Sequence, residues 1–434
     1  MKKSVIIILL AIIGLSSCKK DVNPATAKTI DQQATDSLYY IMNEFYYWYK
    51  LMPTVVVTDY KDPYSLLEAM RYKTLDRWSF IQTYAQYVAQ ATGSFVGHGI
   101  SMGLDQSNQV RIAQIYTLSP LYKKGVRRGW IVKKLNGTDL AKIFITKDSA
   151  AYSNLIGPST AGVTNTFLFH TPEGKDSTII STKTSFTLNT VILADTLHLK
   201  SGITGHLVFD QFIPPSNQEL LSAFTYFSQN NIKDLIVDLR YNGGGDLSVL
   251  ANMASYVAGA AKLNSTFLTL TYNDKYQTEN RSIQFVSVPA PLSISRLVVI
   301  TTRGTASASE DFINGLNPSF NVVTIGDTTN GKPVGMNGFG YPVKNPDYAF
   351  FPITFSVVNS AGQGDFYNGF APAKYAVDDI THDWDDRSEE CLKESIFYLE
   401  HGNVSARGLY AGKQSSTIFY EKNGKSKNAY ILNK

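Results

Sequence analysis

The spacing of apolar residues changes twice along the chain, and these changes divide it into three regions. Between residues 30 and 90, apolar and aromatic side chains recur at helical spacing, which predicts a helical packing region. Between residues 93 and 187, short alternating runs are separated by Gly and Asn turns, which predicts a β-rich region. From residue 189 onward, near-continuous apolar runs alternate with helical segments, which predicts an α/β region.

The apolar runs of the α/β region are typical of strands buried on both faces of a sheet. The predicted strands are residues 235–239, 297–300 and 322–325, and the predicted helices are residues 217–228, 247–258 and 309–316. In the β-rich region, Asn136 and Gly137 follow an alternating run and predict a hairpin turn. Ser119 and Pro120 predict the start of a short helix, whereas the last thirty or so residues have no pattern that places them.

Residues 303–310 (Arg-Gly-Thr-Ala-Ser-Ala-Ser-Glu) lie between a predicted strand and a predicted helix. A nucleophile on such a turn is exposed at the sheet edge, near the positive end of the helix dipole. Flanking glycine and alanine keep the turn tight. Ser307 is therefore a candidate nucleophile, and a serine-rich helix cap is the alternative interpretation.

Two further segments follow buried strands. In residues 238–246 (Asp-Leu-Arg-Tyr-Asn-Gly-Gly-Gly-Asp), consecutive glycines can aim backbone N–H groups at one point, as an oxyanion hole requires. A plain glycine turn is the alternative, and a phosphate loop is excluded because no Gly-Lys-Ser/Thr follows. Lys332 lies between Gly331 and Pro333, and it could act as a general base if burial lowers its pKa. A solvated surface lysine is the ordinary alternative.

Together these segments resemble the C-terminal processing peptidases, also called tail-specific proteases. The resemblance rests on the Leu-Arg-x-Asn-x-Gly-Gly, Ser-Ala-Ser-Glu and Gly-Lys segments. Lys332 follows Ser307 by 25 residues, the family's usual spacing, which selects Ser307 over Ser309. The resemblance covers residues 189–403 and extends to residues 93–187, which look like the family's inserted PDZ domain.

The resemblance implies a serine endopeptidase with a Ser–Lys dyad that needs no metal or cofactor. Ser307 would attack the scissile carbonyl, and neutral Lys332 would remove the hydroxyl proton and later protonate the leaving amine. The backbone N–H groups of Ala308 and of Gly244 or Gly245 would hold the oxyanion. The PDZ-like domain would dock free C-termini or extended peptides as an added strand.

The sequence departs from the family pattern at three places. The family often has Gln four residues after the lysine, where it orients the base, and here that residue is Met336, which makes no strong hydrogen bond. Gly243 replaces the usual Pro before the paired glycines, and Gly129-Trp130 stands where the PDZ turn often has Gly-Asp. Met336 favours a rival class, a catalytically weak or inactive peptidase-fold lipoprotein that binds peptides or another ligand.

Residues 99–103 match the Gly-x-Ser-x-Gly pattern of an esterase nucleophile elbow. That elbow needs a buried strand before the serine and a helix after it, and the flanking residues predict neither. We therefore interpret Ser101 as part of the start of the PDZ-like domain, near its peptide-carboxylate loop.

The N-terminus has the pattern of an export signal. Lys2 and Lys3 precede an apolar run that is too short to span a bilayer, and Leu15-Ser16-Ser17-Cys18 closes it. This ending resembles the bacterial lipoprotein signal, in which Cys18 would be acylated and anchor the protein in the cell envelope, on its periplasmic or cell-surface face. An ordinary cleaved signal with an incidental Cys18 is the alternative.

Composition and net charge limit the classes of partner that we expect. Apolar residues make up 44% and charged residues 18% of the 434 positions, which fits a folded protein of several domains. The formal net charge of +4, without basic clusters, gives no reason to expect nucleic acid, so the expected partners are protein or peptide substrates and the membrane. Cys391 is interpreted as a helix-face residue, and no Cys/His spacing resembles a metal site.

The patterns and the resemblance together predict an α/β multi-domain protein. Its catalytic core would have the ClpP- and crotonase-like α/β fold, preceded by an N-terminal helical domain and a β-rich PDZ-like domain. The predicted divisions are a lipoprotein signal peptide (1–17), a tether (18–29), the N-terminal helical domain (30–92), the PDZ-like domain (93–187), the Ser/Lys peptidase core (188–403) and an unplaced C-terminal extension (404–434).

Overall fold

A computed structural model of the chain describes residues 28–342, 346–406, 418–422 and 425–428. The predicted signal peptide, Cys18 and most of the predicted tether therefore lie outside the described residues. Within the described residues, no helix combines the length and the apolar character needed to cross a membrane.

Most of the longer helices begin at side chains that cap their first backbone N–H groups. Thr29 and Thr83 form capping boxes with a glutamine three residues later, and Asp246 accepts from the backbone N–H of Ser248. In the described part of the chain the helices are α1 (Ile30–Phe45), α2 (Pro63–Met70), α3 (Tyr84–Ala91), α4 (Ala141–Ile145), α5 (Ser149–Ile156), α6 (Ser216–Gln229), α7 (Leu247–Ala258), α8 (Ala308–Phe320) and α9 (Glu390–His401). The helices predicted at residues 217–228, 247–258 and 309–316 correspond to α6, α7 and α8.

Within the described residues the strands form five sheets. In chain order, those in the described residues are β1 (Phe80–Thr83), β2 (Ser94–Gly97), β3 (Ile100–Leu104), β4 (Val110–Ile115), β5 (Ile131–Leu135), β6 (Thr138–Asp139), β7 (Thr164–His170), β8 (Asp176–Thr182), β9 (Thr184–Thr187), β10 (Val191–Leu199), β11 (Gly202–Phe209), β12 (Asp234–Asp238), β13 (Thr266–Tyr272), β14 (Arg281–Gln284), β15 (Arg296–Thr301), β16 (Val323–Gly326), β17 (Val334–Met336), β18 (Phe339–Tyr341), β19 (Tyr348–Phe351), β20 (Ile353–Asn359), β21 (Lys374–Tyr375), β22 (Ile418–Lys422) and β23 (Lys425–Asn428). The three strands predicted in the α/β region correspond to β12, β15 and β16.

The central sheet has the order β10-β11-β12-β15-β16-β21, and it is parallel from β11 onward. Leu235 and Val237 of β12 pack in the core with α6, α7 and α8, whereas Ile236 packs on the other face with α9. Both faces are therefore covered, which explains the near-continuous apolar runs. Because β11, β12, β15 and β16 run parallel, their carboxyl ends meet at one edge of the sheet.

The N-terminal region packs against two smaller antiparallel sheets, β14-β13-β20-β17 and β1-β19-β18. Leu38 and Leu66 share a core with Val334 and Phe350. The helical prediction for residues 30–92 missed β1, which pairs with β19 and places Phe80 opposite Phe351. The N-terminal region is thus joined to the segment that directly follows Lys332.

The β-rich region enters and leaves through the paired strands β2 and β9, and its sheet has the order β23-β22-β3-β4-β5-β7-β8. Asn136 and Gly137 both have positive φ, 49° and 81°, which confirms the predicted hairpin turn. The short helix expected after Ser119 is one 3₁₀ turn, Tyr122–Lys124. The unplaced C-terminal residues include β22 and β23, which extend the sheet beyond β3.

Candidate active site

The loops after β12, β15 and β16 meet at the carboxyl edge of the central sheet. The backbone N–H of Ala306 donates to the carbonyl of Asn242 at 3.1 Å, which joins the loops after β15 and β12. The backbone N–H of Asn330 donates to the carbonyl of Thr305 at 2.9 Å, which joins the loops after β16 and β15. The structure therefore brings together the three segments that the sequence singled out.

Ser307 stands at the first turn of α8 in an uncommon backbone conformation. Its φ of 56° and ψ of −122° fall in a region that residues other than glycine rarely adopt. Backbone N–H groups of Glu310 and Asp311 donate to its carbonyl at 2.7 and 2.8 Å, which fixes the turn. Ser307 lines the cleft described below, whereas Ser309 is buried and its hydroxyl donates to the carbonyl of Asn242 at 3.0 Å.

The glycine loop after β12 touches the Ser307 turn directly. A Cβ atom on Gly244 would lie 2.8 Å from Cβ of Ser307 and 2.9 Å from the backbone nitrogen of Ala308. Gly244 also has a φ of 98°, so both space and backbone conformation require glycine. Its N–H donates to Oδ1 of Asn242 at 2.9 Å, which gives the loop its shape.

Lys332 lines the same cleft and is 3% exposed. Burial lowers the pKa of its amine to about 8, against the opposing charges of Asp311, Asp76 and Glu310. Gly331 precedes it with a φ of 93°, and a Cβ atom there would lie 2.3 Å from the carbonyl oxygen of Tyr367. Only glycine fits at this position, because the backbone of the loop passes close to Tyr367 just before the buried Lys332.

Glu310 joins the turn that carries Ser307 to the loop that carries Lys332. Its Oε2 accepts from the backbone N–H groups of Ser307 at 3.0 Å and Lys332 at 2.8 Å. Its Oε1 accepts from the hydroxyl of Thr329 and from the N–H of Gly331, both at 2.6 Å. Burial raises the pKa of this carboxyl, and the four hydrogen bonds act against that rise. The sequence interpretation gave Glu310 no role, although an acid three residues after a helix-capping serine is a recognisable signal.

Two side chains of the N-terminal region donate hydrogen bonds to the loop that carries Lys332 and to its neighbour. The Arg77 guanidinium donates to the carbonyls of Asn330 at 2.9 Å, Gly331 at 3.3 Å and Tyr367 at 3.2 Å. The indole of Trp78 donates to Oδ1 of Asn330 at 3.1 Å. No sequence pattern predicted these contacts, because about 250 residues separate the partners.

A buried cluster of ion pairs lies next to the glycine loop of residues 243–245. Arg240, which directly precedes Tyr241, pairs with Asp238 at 2.7 Å and with Glu389 at 2.8 Å. Arg128 of the β-rich region shares this cluster, since it lies 3.3 Å from Asp378, which also pairs with Arg240 at 2.9 Å. The cluster therefore connects the β-rich region to the loop beside Ser307.

The cleft at this edge has a volume of about 550 Å³. One wall carries Ser307, Lys332, Asp311 and the three glycines of residues 243–245. The other walls combine apolar side chains with polar ones; the apolar ones include Phe80, Phe212, Met336, Phe351 and Phe355, and the charged ones include Asp210, Asp246 and Arg281.

Two residues that the sequence set apart lie elsewhere. Ser101 is buried within β3 and faces Gln114 of β4, so it occupies the middle of a strand and not a strand-to-helix elbow. Cys391 is buried on α9, where its thiol contacts the carbonyl of Val377 at 3.2 Å. Cys18 lies outside the described residues.

Two family models and a solved structure resemble this chain. Residues 203–369 match Peptidase family S41, and residues 33–80 match the Peptidase S41 N-terminal domain. A crystal structure from Bacteroides fragilis that is assigned to the S41 proteases superposes with a TM-score of 0.66 at 21% identity, over 83% of this chain and 96% of that one. The chain therefore contains regions that match the S41 peptidase domain and the S41 N-terminal domain, and it has the mixed α/β fold of that structure.

Curated relatives occur in staphylococci. The chain is 25% identical over 285 residues to a "Probable CtpA-like serine protease" of Staphylococcus epidermidis, covering 64% of this chain and 51% of the relative. It is also 25% identical over 306 residues to the protein of the same description in Staphylococcus aureus, covering 69% of this chain and 56% of the relative. The chain thus spans about half the length of the curated relatives it matches.

Proposed function

We propose that this chain is a serine endopeptidase whose catalytic dyad is Ser307 and Lys332. The observation that carries the proposal is a buried lysine, with its pKa lowered to about 8, on the same cleft as a serine held in an uncommon backbone conformation. A lysine acts as a base only in its neutral form, and burial supplies that form near neutral pH. A lysine that only attracted substrate would work equally well exposed and charged.

In the proposed reaction Oγ of Ser307 attacks the scissile carbonyl while Lys332 accepts the hydroxyl proton. The ammonium then gives that proton to the leaving amine, the C–N bond breaks, and an ester of Ser307 remains. Water attacks this ester, again losing a proton to Lys332, and the acid product leaves as Ser307 regains its proton. The protein needs no other group to balance these steps.

Two backbone N–H groups would hold the negative oxygen of the tetrahedral intermediate. The N–H of Ala308 begins α8, where the helix dipole also favours negative charge. Gly244 and Gly245 are candidates for the second donor. Because the Gly244 N–H donates to Asn242, Gly245 is the favoured choice.

Residues 93–187 would act as a PDZ-like docking region for free C-termini or extended peptides. The support is strand β3, which follows a glycine with a φ of 71° at position 99 and whose outer side is paired with β22 from the C-terminal residues, so that a peptide strand could take the place of β22 there. Docking there would increase the local concentration of substrate at the cleft. The chemistry itself would remain with Ser307 and Lys332.

Anchoring through an acylated Cys18 would hold the enzyme in the cell envelope, on the periplasmic or cell-surface face. The support is the export-signal pattern that ends in Leu15-Ser16-Ser17-Cys18. Cell fractionation is the test, and recovery of all mature protein in the soluble fraction would exclude the anchor.

The decisive experiment compares the full chain with its Ser307→Ala variant on β-casein, with mass spectrometry of the products. We expect the variant to lose activity by a factor on the order of 10⁴ or more, because no other group supplies the nucleophile. Ser101→Ala, which alters a buried strand residue, is the matched control and should cleave normally. Equal cleavage by Ser307→Ala would overturn the dyad, and a wild type that binds casein without cleaving it would support the rival binding protein.

A further inference from the structure

Asp311 lies beside the proposed dyad, and in the part of the chain that the structure describes no side-chain hydrogen bond gives it a structural role there. It occupies the first turn of α8, lines the cleft with Ser307 and Lys332, and is 3% exposed. Among the side-chain atoms of the described residues, its Oδ1 is a buried acceptor with no hydrogen-bond donor. The adjacent Glu310, by contrast, accepts from four donors. Burying a carboxyl oxygen without a donor is destabilising, so the position needs another explanation.

Charge connects Asp311 to Lys332. Three carboxyl groups act on the lysine amine, and Asp311 has the largest effect, followed by Asp76 and Glu310. Asp76 already accepts from the hydroxyl of Tyr46 at 2.8 Å and from the N–H of Trp78 at 2.9 Å. Of the three carboxyl groups, Asp311 is therefore the one that has an open acceptor for Lys332.

We infer that Asp311 is the positioning residue for Lys332, and that its Oδ1 accepts a hydrogen bond from the amine when Lys332 takes the proton of Ser307. The inference rests on the proposed Ser–Lys peptidase. A hydrogen bond from one N–H of the amine to Asp311 would leave the nitrogen lone pair directed away from the carboxylate and available for the proton of Ser307. The carboxylate also stabilises the ammonium that forms, which Met336 cannot do.

The test is Asp311→Asn in the full chain, with kcat and KM for fluorogenic casein measured from pH 6 to pH 10. We expect kcat to fall on the order of 10²-fold, because a base that is not oriented loses much of its catalytic effect, while KM changes little. The rising limb of the pH profile should move to lower pH. Asp311 raises the pKa of Lys332, so its removal lets burial lower that pKa further, against Asp76 and Glu310 alone.

Thermal unfolding separates this role from a structural one. Asp311→Asn removes a buried carboxyl whose Oδ1 has no donor and whose pKa burial raises well above its usual range, so its melting temperature should equal or exceed that of the wild type. A structural carboxylate would lose stability and kcat together. Asp311→Ser serves as a second small polar variant if the asparagine variant aggregates, and Asp311→Glu should recover part of the lost kcat.

Glu219→Gln is the matched control, because Glu219 holds the same position in α6 that Asp311 holds in α8, and it accepts from the N–H of Thr190 at 2.6 Å. The rising limb of its pH profile should lie at the same pH as that of the wild type. If Ser307→Ala is inactive but Asp311→Asn keeps the wild-type kcat and limb, the role of Asp311 is wrong and the dyad stands. If Ser307→Ala itself cleaves, the proposed peptidase mechanism fails before Asp311 is considered.

Discussion

The carboxyl edge of the central sheet and strand β3 of the β-rich sheet are the two places where we propose that peptides bind, and they are built by different means. At the first, particular side chains and glycines are fixed in contact, as where Gly244 meets Ser307. At the second, strand β3 presents its backbone, and β22 of the same chain pairs with it. Side-chain chemistry leaves motifs in a sequence, whereas backbone pairing leaves almost none, because any residue except proline can pair.

The comparison predicts opposite responses to change. A site made of buried side chains should fail after single substitutions, and its failure should appear in kcat. A site made of strand backbone should tolerate side-chain changes, and only the gain or loss of a whole strand should alter it, in KM.

After Ser307, the largest effect is expected at Lys332. Lys332→Arg should lose activity on the order of 10³-fold or more, about as much as Lys332→Ala, because arginine keeps its proton and cannot act as a base. Wild-type activity should rise as the pH passes through about 8, where the amine becomes neutral. The measurement is casein cleavage by the three proteins across that range.

Lys393→Arg is the matched control for this exchange, since Lys393 is exposed and pairs with Glu390 at 3.2 Å. An active Lys332→Arg enzyme would show that Lys332 acts only as a positive charge, and the Ser–Lys mechanism would be lost.

A smaller effect is expected at Glu310. Glu310→Gln replaces a carboxylate that accepts four hydrogen bonds with an amide whose NH₂ group must face some of those donors. We expect a loss of about 1–3 kcal/mol in the free energy of unfolding, together with a fall in kcat as the two loops separate. Chemical denaturation and casein kinetics measure both. An exposed acid, changed as Glu68→Gln, is the control, and unchanged stability in Glu310→Gln would contradict the bridging role.

The sequence predicted features that depend on nearby residues. Strands β12, β15 and β16 follow from apolar runs, and Ser307 and Lys332 follow from short motifs at a fixed spacing. Strand β1 was missed because its partner β19 lies about 270 residues away and its neighbours are helical. Acids at a helix start ordinarily balance the helix dipole in water, so nothing in the sequence distinguished the buried Asp311.

The smallest effect is expected at strand β3 of the β-rich sheet, where β22 pairs with it. Deleting residues 407–434 removes β22, which pairs with Ser101, Met102 and Gly103 of β3. If substrates dock on β3 as proposed, β22 competes with them from within the same chain at high effective concentration. We therefore expect the deletion to lower KM for casein by a factor of about 2 to 5, as the open fraction of the edge increases, and to leave kcat unchanged.

A synthetic peptide of residues 416–428, added to the truncated enzyme, should restore the higher KM as a competitive inhibitor. Phe419→Pro in the full chain is a milder version of the deletion, because proline removes one backbone donor from β22 opposite Met102. An unchanged KM after truncation would mean that peptides reach the cleft without using this edge. A fall in kcat instead would mean that β22 supports the catalytic core, and the contrast between the two regions would no longer hold.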